Sequence, residues 1–146
     1  MAKLNGSKKI KTAVFISGRG SNLINLIKFS LKKNSPIKIE LIISDNSKAK
    51  GLIYSKRYNI KKKIYLFKKR NIAENKILDK LLNKKIRLIC LAGFMKILSK
   101  NFIKKFRGKI LNIHPSLLPK YKGLNTHERV IKNNEKFSGC TVHFVN

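Results

Sequence analysis

The sequence predicts an α/β fold in a single domain, a mostly parallel wound sheet with helices on its faces. Three observations carry that prediction. Apolar runs of strand length alternate with apolar stripes at helical spacing along nearly the whole chain. The first apolar run ends in a glycine turn that opens straight into a helix. A later run ends at Pro115, which has no N–H to continue a ladder. Strands separated by helices pair in parallel with right-handed connections, and ligands of such sheets lie beyond the carboxyl ends of the strands.

Thr12–Ser17 is the first strand, followed by the turn Gly18-Arg19-Gly20 and by Ser21, a residue type suited to a helix N-cap. Leu23, Leu26, Ile27 and Leu31 form the stripe of that helix. Ile37–Ser44 is a second strand, Asp45-Asn46-Ser47 a turn, and residues 48–58 a helix. A third strand is expected over Lys63–Phe67. The loop containing Lys68, Lys69 and Arg70 leads into a helix with Ile77, Leu78, Leu81 and Leu82 as its apolar residues. Arg87–Ala92 reads as a buried strand ending at Gly93-Phe94-Met95. A short helix follows from Ser99 to Phe106, with Ser99 as its cap, and then a strand over Lys109–Ile113. After the loop with Pro115, Pro119 and Gly123, a helix is expected at Thr126–Lys132. The last strand, Gly139–Val145, turns Thr141, His143 and Val145 one way and Val142 and Phe144 the other. Residues 1–11 read as a short basic leader, and 12–146 as the domain.

The formal net charge is +29, from 35 basic and 6 acidic residues. Such a charge raises nucleic-acid binding as a function. Two features argue for compositional bias instead. Lys (29), Asn (15) and Ile (20) dominate, with only 5 Ala, a pattern of AT-rich codons, and the lysines lie in every segment rather than on one stripe. Only 6 of the basic residues are Arg, the side chain suited to planar phosphate and base recognition. A specific nucleic-acid partner is therefore not expected, although the field attracts small anions. The chain has neither a membrane-length apolar run nor a secretion signal, and a cytoplasmic location is expected. Cys90 and Cys140 are far apart and read as buried, reduced thiols. Three histidines without an acid cluster give no metal site.

Two stretches carry candidate chemistry. Strand, glycine turn and helix N-terminus, as in Ile16–Leu23, form a recurring phosphate cradle. Glycine lets the backbone approach the anion, and free N–H groups face it. The pattern is neither a dinucleotide fingerprint nor a Walker loop, so a phosphomonoester fits better. The second stretch is Asn112-Ile113-His114 at a strand end. Residues two apart on a strand share a side, about 7 Å apart along the chain. An amide there can hold a developing oxyanion, and an imidazole can move a proton near neutral pH. His127 and His143 read as local or supporting residues, His143 facing outward from a strand beside Lys109–Ile113.

Four segments together resemble the folate-dependent glycinamide ribonucleotide formyltransferases: Ile16–Leu23, Leu91–Ser99, Leu111–Leu124 and Gly139–Val145. The resemblance implies a Rossmann-like formyltransferase fold and transfer of a formyl group from 10-formyltetrahydrofolate to the amine of glycinamide ribonucleotide, in purine synthesis, without a metal. It implies that Gly20, Ser21 and Asn22 hold the substrate phosphate. Met95, Lys96, Ile97 and Leu98 line the folate site together with Asn112, with Arg70 as a basic position near it. Asn112 becomes the oxyanion-stabilising amide and His114 the proton-transferring imidazole. Methionyl-tRNA formyltransferase and formyltetrahydrofolate hydrolase share the Asn/His pair, but are not expected to carry this Ser-Gly-x-Gly-Ser-Asn loop. The family's catalytic aspartate and its last strand and helix lie beyond Asn146, so a shortened chain with impaired activity is expected.

Overall fold

The structure, a computed structural model, describes residues 8–146. The expected leader falls largely on residues 1–7, outside the described residues. Six strands form one sheet in the order β3-β2-β1-β4-β5-β6. The strands are β1 (Ile10–Ile16), β2 (Ile37–Ser44), β3 (Lys61–Ile64), β4 (Leu88–Leu91), β5 (Lys109–His114) and β6 (Thr141–Phe144). The first five run parallel; β6 alone is antiparallel, paired to β5. The chain winds outward from β1 to β3, crosses back to β4 on the other side of β1, and continues to β6. The wound α/β architecture is thus the one the alternation of strands and stripes implies.

The helices are α1 (Ser21–Ser30), α2 (Ile53–Arg57), α3 (Arg70–Asn83), α4 (Lys100–Lys105) and α5 (Thr126–Lys132). Burial separates the two faces of the sheet. Ala13, Phe15, Leu41, Ile43, Ile89 and Ile110 pack with Ile77, Leu81 and Phe102 of α3 and α4. Val14, Ile16, Ile42 and Cys90 face the other way and pack with Leu23 and Ile27 of α1 and with Leu52. Strands buried on both faces explain the continuous apolar runs. At about 25 cal/mol per Å² of apolar surface removed from water, these two layers dominate the favourable side of folding.

Several elements differ from expectation, each for a tertiary reason. β3 spans Lys61–Ile64 rather than Lys63–Phe67, because its register on β2 pairs Leu41 with Lys61 and Ser44 with Ile64. All four of its residues are exposed. On an edge strand lysine is tolerated and discourages pairing with other chains. The helix expected over 48–58 divides into a 3-10 turn at Lys50–Leu52 and the short α2. Gly20, not Ser21, is the cap residue of α1, and no side chain caps that helix. On α3 the buried positions are Ala73, Glu74, Ile77 and Leu81, while Leu82 points to solvent. Ser99 does cap α4, its Oγ accepting from the Phe102 N–H at 3.1 Å. Cys90 is buried as expected, but Cys140 is exposed, because it lies in the open segment before β6. On β6, Thr141 and His143 are partly buried and Val142 and Phe144 exposed, the expected alternation. Among the described residues, no helix is long and apolar enough to cross a membrane.

Candidate active site

β1, β4 and β5 are neighbours in the sheet and run the same way, so the loops after them leave from one rim. The winding direction reverses between β1 and β4, which is where wound sheets open a crevice for ligands. The expectation that residues 18–22, 93–98 and 112–114 share one rim is met by this topology.

The first loop is held by an approach of two glycines. Gly20 has φ 77°. A Cβ there would lie 2.8 Å from Gly51 Cα, closer than real side chains come. The Gly51 N–H donates to the Gly18 carbonyl at 2.9 Å, fixing the turn from the side of the 3-10 segment. α1 then begins with no acidic residue in its first turn and no capping side chain. Ser21 and Asn22 are exposed there. A helix N-terminus in this state presents unpaired N–H groups and positive dipole, the physical requirement for an anion. Gly51 was not legible as part of this loop, since only the folded backbone brings it to Gly20.

The second loop is tied to the first. The Ser17 N–H donates to the Gly93 carbonyl at 3.2 Å, and the Met95 N–H donates to Ser17 Oγ at 2.8 Å. Met95 and Ile97 are exposed, at 63% and 81%, whereas Leu98 is buried in the core. Two exposed apolar side chains anchored by one buried neighbour offer a surface for a flat apolar ligand. Lys96 reaches Asp45 Oδ2 at 3.9 Å with its side chain about half exposed. Arg70 is the exposed first residue of α3, following the Phe67–Lys69 turn.

On β5, Asn112 and His114 share the face of Ile110, as alternation requires. Both are partly buried. Asn112 sits opposite Leu91 of β4 and His143 of β6. Its Nδ2 is 3.2 Å from His143 Nε2, and His143 Nδ1 is 3.0 Å from the Phe144 carbonyl. A carbonyl only accepts, so Nδ1 carries the hydrogen and Nε2 receives an N–H from the amide. The outward orientation expected for His143 is therefore corrected: antiparallel pairing places it against Asn112. Among the described residues, the second N–H of the amide meets no acceptor.

His114 Nε2 donates to the Tyr121 carbonyl at 2.9 Å, which leaves Nδ1 as the nitrogen open to proton exchange. Tyr121 is brought there by a tethered loop. Ser116, almost wholly buried, donates to the Lys120 carbonyl at 2.7 Å, and Thr141 Oγ1 donates to the Ser116 carbonyl at 2.8 Å. Glu135 accepts from Tyr121 Oη at 2.8 Å and from Lys120 Nζ. Among the described residues, the His114 ring meets no carboxylate in hydrogen-bond range. His127, on α5, is exposed.

The sequence model of the family described as "Formyl transferase" matches residues 10–146. The chain belongs to the formyl transferase family. A phosphoribosylglycinamide formyltransferase of Haemophilus influenzae is 45% identical over 141 residues, covering 93% of this chain and 66% of the relative. The human trifunctional purine biosynthetic protein adenosine-3 is 43% identical over 141 residues, covering 94% of this chain and 14% of the relative. The crystal structure of a phosphoribosylglycinamide formyltransferase from Brucella melitensis superposes with TM-score 0.87 at 40% identity, covering 93% of this chain and 72% of that one. A glycinamide ribonucleotide transformylase from Geobacillus kaustophilus gives TM-score 0.90 at 29% identity, covering 95% and 76%. The chain thus spans about two thirds of the length of the bacterial relative and a seventh of the human one.

Proposed function

We propose that this chain serves formyl transfer from 10-formyltetrahydrofolate to the amine of glycinamide ribonucleotide, a step of purine synthesis. The reading is carried by one observation: an anion-ready helix N-terminus, an apolar loop and an amide–imidazole pair lie at the carboxyl ends of three adjacent parallel strands. In this reading the phosphate of the nucleotide meets the N–H groups of Gly20, Ser21 and Asn22. The folate lies on Met95, Lys96 and Ile97, whose loop the buried Leu98 anchors to the core, with Arg70 as a cation for its carboxylates.

The reaction then follows from the side chains. The glycinamide nitrogen attacks the formyl carbon, and the carbonyl oxygen becomes an oxyanion. The free N–H of Asn112 stabilises that charge, an interaction stronger in the transition state than in the ground state. His114 takes the proton that the attacking amine loses and returns it to the departing folate nitrogen, so that formylated nucleotide and tetrahydrofolate leave. Both donors are pre-positioned, Asn112 by His143 and His114 by Tyr121, so little reorganisation is needed as charge develops.

The test is transfer of an isotopically labelled formyl group to glycinamide ribonucleotide, with calorimetric binding of each substrate to the purified chain. Binding of the nucleotide that Gly20→Val abolishes, together with labelled product, is the expected result. Binding of tRNA or of any polyanion in its place, indifferent to Gly20→Val and falling steeply with salt, would overturn the reading.

A further inference from the structure

We propose that Asp45 is a positioning residue that, through Ser17, locks the anion-binding loop and the 93–98 loop into one frame. What the two loops bind rests on the formyl-transfer reading; the lock itself does not.

Ser17 is the last residue before the glycine turn, and every polar atom it has is engaged across strands. Its N–H donates to the Gly93 carbonyl at 3.2 Å, and its carbonyl accepts from Asn46 Nδ2 at 3.2 Å. Its hydroxyl donates to Asp45 Oδ1 at 2.6 Å and accepts from the Met95 N–H at 2.8 Å. Asp45 leaves the end of β2 and Met95 follows β4, with β1 between them, so the clamp crosses three adjacent strands.

The direction of the hydroxyl decides what the clamp does. A serine hydroxyl has one hydrogen and rotates freely. The Asp45 carboxylate can only accept, so it takes that hydrogen and turns a lone pair toward the Met95 amide. A hydroxyl bond to an ionised acceptor is short and strong, in keeping with 2.6 Å. The Asp45 side chain is only 7% exposed, so water competes poorly for the bond. Lys96 Nζ stands 3.9 Å from Oδ2 and is itself 48% exposed, and a pair of that kind contributes little. Acceptance from Ser17 by Oδ1, not the pair with Lys96, is therefore the operative contact. An asparagine that keeps the oxygen should serve; an alanine should not.

A shared frame has a thermodynamic consequence. If ordering one loop orders the other, a ligand that settles the first loop leaves less ordering for the ligand of the second. Filling either site then tightens the other, and the effect is reciprocal.

The experiment is amide hydrogen exchange on the full chain, read at Met95 and at Val14 and Phe15 of β1, in wild type, Asp45→Ala and Asp45→Asn. Met95 exchange is expected to rise about ten- to a hundredfold in Asp45→Ala, as loss of a poorly hydrated hydrogen bond implies, with Val14 and Phe15 unchanged. Asp45→Asn should restore the protection. Should Asp45→Ala fail to fold, Ser17→Ala removes the same relay and must give the same Met95 signature. Unchanged Met95 exchange overturns the proposal, and so does a loss of protection spread equally over β1. A second arm measures glycinamide ribonucleotide affinity with and without saturating tetrahydrofolate. Coupling of about fivefold or more in wild type, absent in Asp45→Ala and restored in Asp45→Asn, is the expected result. If neither compound binds while the Met95 signature holds, the lock stands and the formyl-transfer reading fails.

Discussion

Asn112 and His143 face each other across the β5–β6 pair, with the amide nitrogen 3.2 Å from the imidazole Nε2. The histidine is itself held by its Nδ1 contact with the Phe144 carbonyl at 3.0 Å. A side-chain amide can rotate to present oxygen or nitrogen; here the imidazole acceptor selects nitrogen and leaves one N–H for the pocket. The consequence is a graded set of three variants. Asn112→Ala removes the donor and is expected to lower formyl transfer by about 100- to 1000-fold. His143→Ala only frees the amide to turn, so its loss should be smaller, and His143→Gln, which keeps an acceptor, should recover part of it. Turnover numbers for the three variants check the order; a His143→Ala defect as deep as that of Asn112→Ala would refute it.

The two glycines of the first loop predict a stability effect and a binding effect together. A side chain at position 20 adopts a left-handed backbone at a cost of about 1–3 kcal/mol, and its Cβ also strikes Gly51 Cα at 2.8 Å. Gly51→Ala approaches the same contact from the other side, its Cβ 2.9 Å from Gly20 Cα. Each variant should lose stability in urea unfolding and weaken phosphate-ester binding. Because both crowd one gap, the double variant should cost less than the two singles added. Additive losses would show that the gap is not shared.

Much of this was legible in the sequence, and the boundary is physical. Alternation of apolar runs and stripes gave β1, β2, β4 and β5 within two residues, because strands buried on both faces leave a continuous apolar signal. β3 was displaced because edge pairing with β2, not its own apolarity, sets which residues form the strand. The rim was legible, since loops after adjacent parallel strands must share it. The Asn112–His143 contact was not, because it depends on β6 pairing antiparallel in one register. Gly51, Ser17 and Asp45 were missed for a related reason: each matters through a partner at least 28 positions away. A clue for Asp45 did exist, as an acid at a strand end in a chain with only six.

Glu74 predicts how α3 and α4 are joined. It is 3% exposed and accepts from both the Ser99 N–H and the Ser99 hydroxyl. Ser99 in turn caps α4 through the Phe102 N–H. Ser99→Ala removes the cap and strips one bond from a buried carboxylate. It should cost about 1–2 kcal/mol from the cap alone and more from the exposed need of Glu74, by urea unfolding. A loss under ~0.5 kcal/mol, the low end for caps, would mean that water replaces the hydroxyl.

The two thiols should separate cleanly. Burial pushes the Cys90 thiol up to about 11, from an ordinary 9.0. Cys140 is exposed. A thiol reagent at neutral pH should therefore label one cysteine per folded chain, and two after denaturation. Linkage gives the stability trend. The folded pKa of Cys90 lies above the unfolded one, so the unfolded chain releases this proton first as pH rises. The contribution of Cys90 is complete below about pH 9 and is lost progressively toward about pH 11. Cys90→Ala should flatten that decline at the expense of a cavity.

The loop that carries Tyr121 to His114 should loosen in acid. Hydrogen bonds from Lys120 and then Tyr121 hold the Glu135 carboxyl below its usual 4.5. A depressed folded pKa stabilises above the unfolded value and loses that contribution as pH falls through the folded one. The tether is thus intact at neutral pH and releases below about pH 4.5. Hydrogen exchange across residues 116–123 should rise in that window while the β1 core stays protected. Glu135→Gln should show the looser loop already at neutral pH, because it gives up the charge that draws Lys120 Nζ to 3.0 Å. Since His114 is aimed by the Tyr121 carbonyl at 2.9 Å, the same variant should slow formyl transfer more than it weakens nucleotide binding at the Gly20 loop. Equal effects on both would show that the loop does not act through His114.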